Sequence, residues 1–184
     1  MLKKLRRLIR FIEFISKFVP KPLFVFLWRF SDSSESKVAL LIRYLYVKKY
    51  SNDCGENIYI GKGVILKNIE HLTLGSNISI HAYNYIDAAG GITIGDNVSI
   101  ANQSSLISFE HTWEEDNIPI KYNKVKKERI VIQNDIWIGT GCRILSNVTL
   151  YRRSIVAAGA VVNKDVLPNT IVGGIPARKI KDIY

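Results

Sequence analysis

Only two cysteines, Cys54 and Cys142, occur in 184 residues. No disulfide framework holds such a chain, and its chemistry fits a reducing compartment. Histidine is nearly as scarce: His71, His81 and His111 are the three copies, too scattered to form an obvious three-histidine zinc site. No uncharged run approaches the roughly 18 residues of a membrane span. The first thirty residues are apolar, but Arg10, Glu13 and Lys17 interrupt them and no small-residue cleavage site follows, which argues against a secretory signal. No nucleic-acid-binding motif is present. Acidic residues number 16 against 26 Lys and Arg, for a formal charge of +10. That excess asks for an anionic partner: nucleic acid, a membrane surface or a phosphorylated small molecule.

What is present is a repeat. From Ile58 to Val162, steps of six keep one column aliphatic: Ile60, Leu66, Leu74, Ile80, Ile86, Ile94, Ile100 and Leu106, then Ile132, Ile138, Ile144, Leu150, Val156 and Val162. The residue two earlier is mostly apolar or small as well. Cys142 belongs to that second column, which makes it a small core hydrophobe. Asn84, Ser104 and Ser154 are its polar members. Two apolar residues two apart face one side of an extended segment, and the small or turn-prone residue after them corners the chain. No hexad buries its face alone, so the unit is a solenoid. Three hexads per coil put all the steps that are not six long at one corner: Leu66 to Leu74, Ile86 to Ile94, and Leu106 to Ile132. The four Asn-x-Ser/Thr strings, at Asn77, Asn97, Asn102 and Asn147, then read as polar corners, not glycosylation sites.

The chain divides into an N-terminal helical segment, 1–54, a solenoid, 55–166, with a long loop at 107–129, and a tail, 167–184. Leu5, Leu8, Ile9, Ile12, Ile15 and Phe18–Val19 have helical spacing among Lys3, Lys4, Arg6, Arg7, Arg10 and Lys17. Pro20 and Pro22 end that helix. Residues 1–30 either cap the open end of the solenoid or lie on anionic lipid as a basic amphipathic helix, and the two are compatible. Ser34 or Ser36 caps a further helix over about 37–50. The long loop carries His111 together with an acidic cluster, Glu110, Glu114, Glu115 and Asp116, and a basic one, Lys121, Lys124, Lys126, Lys127 and Arg129. A loop of that length in a compact repeat protein is functional or disordered.

The hexads, the His111 loop, the strings DIWIG and VVNKDV and the ending GGIPARKIK resemble the left-handed parallel β-helix acyltransferases. Within them, the galactoside and maltose O-acetyltransferases and the O-acetyltransferases of bacterial surface polysaccharides are the nearest in pattern. The resemblance covers about residues 55 to 181. It implies acetyl-CoA as donor, a sugar or polysaccharide hydroxyl as acceptor, no metal, and a homotrimer with active sites between neighbouring prisms. An imidazole, with an ordinary pKa near 6.5, can take the proton of a hydroxyl attacking a thioester, which makes His111 the general base. Asp87, one coil below at the same corner, is the preferred orienting group and Glu110 the second. His81 stands where the sugar acetyltransferases carry an acceptor-binding amide, so His81 and Asp87 are the candidates for acceptor contact.

By the same resemblance the backbone N–H of Thr140, where the family often has Ser or Ala, meets the oxyanion. Trp137 lines the pantetheine slot or the acceptor pocket, or packs between coils. Ala158 and Gly159 form a flat wall for pantetheine. Lys164, Arg178 and Lys181 fall where the family holds CoA phosphates. Asn163 replaces a common Thr, and Lys181 a common Arg, which keeps the charge and loses a bidentate grip. The solvated-tail alternative for Lys164 and Lys181 stays open. The competing classes are a metal enzyme of the γ-carbonic anhydrase type on the same fold, and a non-catalytic scaffold binding membrane or nucleic acid. Within the enzyme reading the acceptor is a polysaccharide precursor, a free sugar or an antibiotic. The expected location is cytoplasmic, with peripheral contact at the inner face of a bacterial plasma membrane.

Overall fold

The computed structural model describes residues 2–184, with side chains from Ile9 onward. The side chains of Lys3, Lys4, Leu5, Arg6, Arg7 and Leu8, which belong to the N-terminal helical pattern, lie outside the described residues. Three helices, α1 (Leu2–Ser16), α2 (Lys21–Ser31) and α3 (Lys37–Tyr50), precede a parallel β-solenoid.

The solenoid has three faces. The first stacks Asp53–Cys54, Leu72–Leu74, Ile92–Ile94, Ile130–Ile132 and Thr149–Leu150. The second stacks Ile58–Ile60, Ile78–Ile80, Val98–Ile100, Ile136–Ile138, Ile155–Val156 and Thr170–Gly173, with Arg178–Asp182 added antiparallel at its edge. The third stacks Ile65–Lys67, Tyr85–Asp87, Ser105–Ile107, Arg143–Ile144 and Val161–Val162. Partners lie one coil apart, as in Ile58↔Ile78, Ile136↔Val98 and Trp137↔Ile155. The three-hexad count is therefore the observed one, and all three long steps fall at the corner between the third and first faces.

Both columns point inward. Every member of the aliphatic column is buried except Leu66, which is half-buried in the first coil beside the helices. Each fully buried Ile or Leu is worth about 1.5–3 kcal/mol relative to exposure. Asn84 and Ser104, buried in the second column, have their polar groups met within the solenoid, and Asn84 Nδ2 donates to the His81 carbonyl at 2.7 Å. Ser104 N–H donates to Asn84 Oδ1 at 2.9 Å, and Ser104 Oγ donates to the Gly139 carbonyl at 3.0 Å. Burial pushes the Cys54 thiol up to about 11 and raises that of Cys142, so both behave as small protonated hydrophobes.

Two Asn residues of the glycosylation-like strings, Asn77 and Asn97, mark corners together with Asn57, which belongs to no such string. Asn57, Asn77 and Asn97 adopt φ of 60°, 59° and 57°, a region Asn tolerates better than most residues. Their side chains form a ladder, with Asn57 Nδ2 donating to Asn77 Oδ1 and Asn77 Nδ2 to Asn97 Oδ1, each at 3.0 Å.

The solenoid's open end is closed by α3, which is capped by Ser36 Oγ accepting from Ala39 N–H at 3.2 Å. Val47 of α3 joins the core, and Arg43 is wholly buried. Arg43 Nε donates to the Ile60 carbonyl at 2.8 Å and Nη1 to those of Ser31 and Ser34 at 2.5 and 2.9 Å. Its Nη2 stands 3.6 Å from Glu35, beyond hydrogen-bond length and within ion-pair reach. One side chain thus ties the turn before α3 to the first coil. Helices α1 and α2 pack on α3: Tyr44 donates to Glu13 at 2.5 Å, and Lys49 Nζ donates to the Ser16, Lys17 and Val19 carbonyls at the end of α1. One sequence expectation changes here. Helix α1 stops at Ser16, before either proline, and Pro20 and Pro22 instead start α2 as its cap residue and first turn. Over the core, α3 supplies buried Val47, and Trp28 of the segment 1–30 packs against the same cluster.

Candidate active site

The three insertions stack on one edge of the prism, between the third and first faces. The lowest is a left-handed Asn68 (φ 52°) followed by the 3₁₀ turn Ile69–His71. The second is the run from Asp87 to Gly91. The third is an arm whose strands Phe109–His111 and Val125–Lys127 pair antiparallel, Glu110 opposite Lys126 and His111 opposite Val125.

The base of the arm is built from backbone and small side chains. Ser108 is fully buried. Its Oγ donates to the Asp87 carbonyl at 2.9 Å and accepts from Gly90 N–H at 2.8 Å, while its carbonyl accepts from Glu128 N–H at 3.0 Å. Farther out, buried Asn123 clamps the turn. Its Oδ1 accepts from Glu115 N–H at 2.9 Å, and its Nδ2 donates to the Glu115 and Ile118 carbonyls, both at 3.3 Å. Ser108, Gly90 and Asn123 had no weight in the sequence reading, and the Ser, Gly and Asn types themselves are the only local signal of a turn there.

His111 is exposed at the end of its strand and lines a cleft of about 250 Å³ with Glu110, Thr112, Trp113, Glu114 and Lys126. Its imidazole has no hydrogen-bond partner among the described residues. Glu110 is exposed and faces Lys126 across the hairpin. Asp87 is buried and pairs with Ile107, at the root of the arm. Its carboxylate is already engaged: Asn68 Nδ2 donates at 2.6 Å, Ala89 N–H at 3.2 Å and Tyr85 hydroxyl at 3.4 Å. Neither acid hydrogen-bonds His111 within the protomer.

The remaining candidates lie on other parts of the prism. Trp137 projects from the second face, half-exposed, between Ser99 below and Ile155 above. Thr140 follows at the corner between the second and third faces, its Oγ1 donating to Asn102 Oδ1 at 2.9 Å. The Thr140 N–H is taken by no acceptor among the described residues. The preceding Gly139 is buried, and a Cβ there would come within 2.6 Å of Ala158 N, so only glycine lets the coils close at this spacing. Ala158 and Gly159 are the exposed equivalents one coil up, Gly159 with φ +74° and open space where a Cβ would stand. His81 sits on this same corner two coils below, exposed, its ring 5.5 Å from that of Tyr59.

In the tail, Lys164 and Arg178 line one cavity of about 310 Å³, together with Lys179, which the sequence reading left out. Lys181 lies opposite Ile171, outside that lining, and Asn163 is exposed beside Lys164. Three groupings result: His111, Glu110 and Asp87 at the arm; Trp137, Thr140, Ala158, Gly159 and His81 around the next edge; and the basic tail. Among the described residues no three of His, Cys, Asp and Glu gather as a metal-holding group.

No protein-family model matches the chain. It is 29% identical over 157 residues to the galactoside O-acetyltransferase of Escherichia coli (strain K12), covering 85% of this chain and 75% of that one. It is 26% identical over 136 residues to a protein of the same strain described as a lipopolysaccharide biosynthesis O-acetyl transferase, WbbJ, covering 69% of each. Its fold is similar to that of the hexapeptide-repeat acetyltransferase VCA0836 from Vibrio cholerae O1 biovar eltor, solved with acetyl-CoA. The TM-score is 0.77 at 27% identity, covering 88% of this chain and 85% of that one.

Proposed function

Starting from the chain's membership of the hexapeptide-repeat, left-handed β-helix acetyltransferases, which use acetyl-CoA, we propose that it acetylates a sugar hydroxyl with His111 as general base. The acceptor is a saccharide of a capsule, O-antigen or exopolysaccharide, carried on lipid during its assembly, and the working unit is a homotrimer. The observation that carries this reading is the exposed, unpartnered His111 on an ordered arm. An imidazole so placed has both nitrogens free for an acceptor hydroxyl and an orienting group.

Acetyl-CoA, when bound, supplies the acyl thioester. Lys164, Arg178 and Lys179 offer positive charge for its phosphates, and the Ala158–Gly159 turn offers a wall without projecting side chains. His111 takes the proton from the acceptor hydroxyl as its oxygen attacks the acyl carbon. The free Thr140 N–H donates to the carbonyl oxygen as it becomes negative. The carbon–sulfur bond then breaks, and the proton passes from His111 to the leaving sulfur. His111 and Thr140 stand on different edges of one prism, which supports a site completed by a neighbouring protomer. The polysaccharide reading draws on the likeness to WbbJ; acetylation of a free sugar draws on that to the galactoside enzyme.

The test is transfer from acetyl-CoA across a panel of free sugars, polysaccharide repeat units and lipid-linked glycans. His111→Ala is expected to lower kcat by about 10²–10⁴-fold while the Kd for CoA, by calorimetry, stays unchanged. Undiminished turnover in that variant, or acceptance by amines and by no sugar, overturns the proposal.

A further inference from the structure

We infer that the outer surface of α1 and α2 docks on an anionic lipid bilayer. From Ile9 onward, helix α1 is apolar on two sides. Ile9 and Ile12 turn towards the molecule and Ser16 is buried, while Phe11, Phe14 and Phe18 are exposed on the opposite side. Helix α2 repeats the division. Phe24 is 2% exposed, packed edge-on against Tyr46 and Tyr50, whereas Leu23, Phe26 and Phe30 form an exposed stripe at i, i+3 and i+7, Phe30 at 76%. With Ile15, also exposed, seven large apolar side chains thus face outward on two consecutive short helices and the turn between them. Single exposed apolar residues need no explanation; such a concentration does. Helix α3 exposes only Val38 among its large hydrophobics.

The charge around these residues selects the partner. The first thirty residues contain eight Lys and Arg and a single acid, Glu13, so they carry seven of the chain's ten formal positive charges. Glu13 is turned inward to the Tyr44 hydroxyl. Arg10 and Lys17 on or beside α1, and Lys21 and Arg29 on α2, are exposed. A second copy of this chain would bring like charge against like charge, whereas anionic headgroups neutralise it. Aromatic rings flanked by long basic side chains suit the boundary between headgroup and acyl chain. Among the described residues no helix is long and apolar enough to cross a membrane. With α1 of 15 residues and α2 of 11, the helices lie on the bilayer. This deepens the reading of a lipid-carried acceptor, yet its test requires no acetyl transfer, so either can fail alone.

The full chain is sedimented with vesicles of phosphatidylcholine plus phosphatidylglycerol, and with phosphatidylcholine alone. Binding to the mixed vesicles is expected to exceed that to the neutral ones by roughly tenfold or more and to weaken with salt. Phe14→Ser with Phe18→Ser is expected to remove most of it, with circular dichroism and sedimentation velocity unchanged. Lys17→Glu with Lys21→Glu, both at the surface, gives the same loss should the serine pair not fold. Absence of binding to the mixed vesicles, or equal binding by wild type and a folded variant, overturns the inference. So does a change of oligomeric state in the serine pair, since a second copy would then cover the face.

Discussion

Gly90 has no room for a methyl group. A Cβ there would lie 2.1 Å from the Ser108 carbonyl oxygen and 2.6 Å from Glu128 N. Both are backbone atoms at the root of the arm that carries His111, so no side-chain rotation relieves the clash. Gly90→Ala is expected to cost about 1–3 kcal/mol, read as a lower Tm, and to reduce kcat more than CoA affinity. Its importance was hidden in the sequence because its neighbours are 18 and 38 residues away in the chain. The inward Ile and Leu columns were legible for the opposite reason: burial there follows from alternation within a single hexad. Asp87 shows a middle case. Coil counting placed it correctly at the root of the arm, paired with Ile107, but could not reveal that Asn68, Ala89 and Tyr85 already hold its carboxylate.

The arm is ordered by one buried amide. Asn123 gathers an N–H and two carbonyls from the 115–118 turn, while Trp113, Ile120 and Tyr122 project outward as large exposed side chains. Asn123→Ala leaves those groups without partners, at about 1–3 kcal/mol each where water does not replace the bond. The expected result is faster protease cleavage within 112–124 and a lower kcat, with CoA binding and global Tm little altered. The sequence offered the loop as functional or disordered, and composition alone could not choose. Helix α1 was ambiguous in another way. Its apolar spacing suggested one stripe through Ile9, Ile12, Ile15 and Phe18, but that stripe divides: Ile9 and Ile12 turn inward, Ile15 and Phe18 outward. A helix apolar on both sides has no unique face until its neighbour is known.

Across the whole molecule, the proposed base and oxyanion donor occupy separate edges, and the basic tail a third region. If each site combines an arm from one protomer with the CoA wall of the next, two inactive variants can repair each other. Co-expressed His111→Ala and Lys164→Glu/Arg178→Glu chains, each inactive alone, are expected to give mixed trimers with about a quarter of wild-type sites restored. Mixed trimers without activity would mean that each protomer is self-contained. The uneven coil length has a separate consequence. The rung at Ser99 pairs with Ser79, 20 residues back, and the rung at Ile136 with Val98, 38 back. Nearly doubling that separation costs only about 0.6 kcal/mol of chain-closure entropy. The edge bearing the arm is therefore a place where segment length is almost free, and chemistry can be lengthened, shortened or exchanged there while the register of the prism above and below stays as it is.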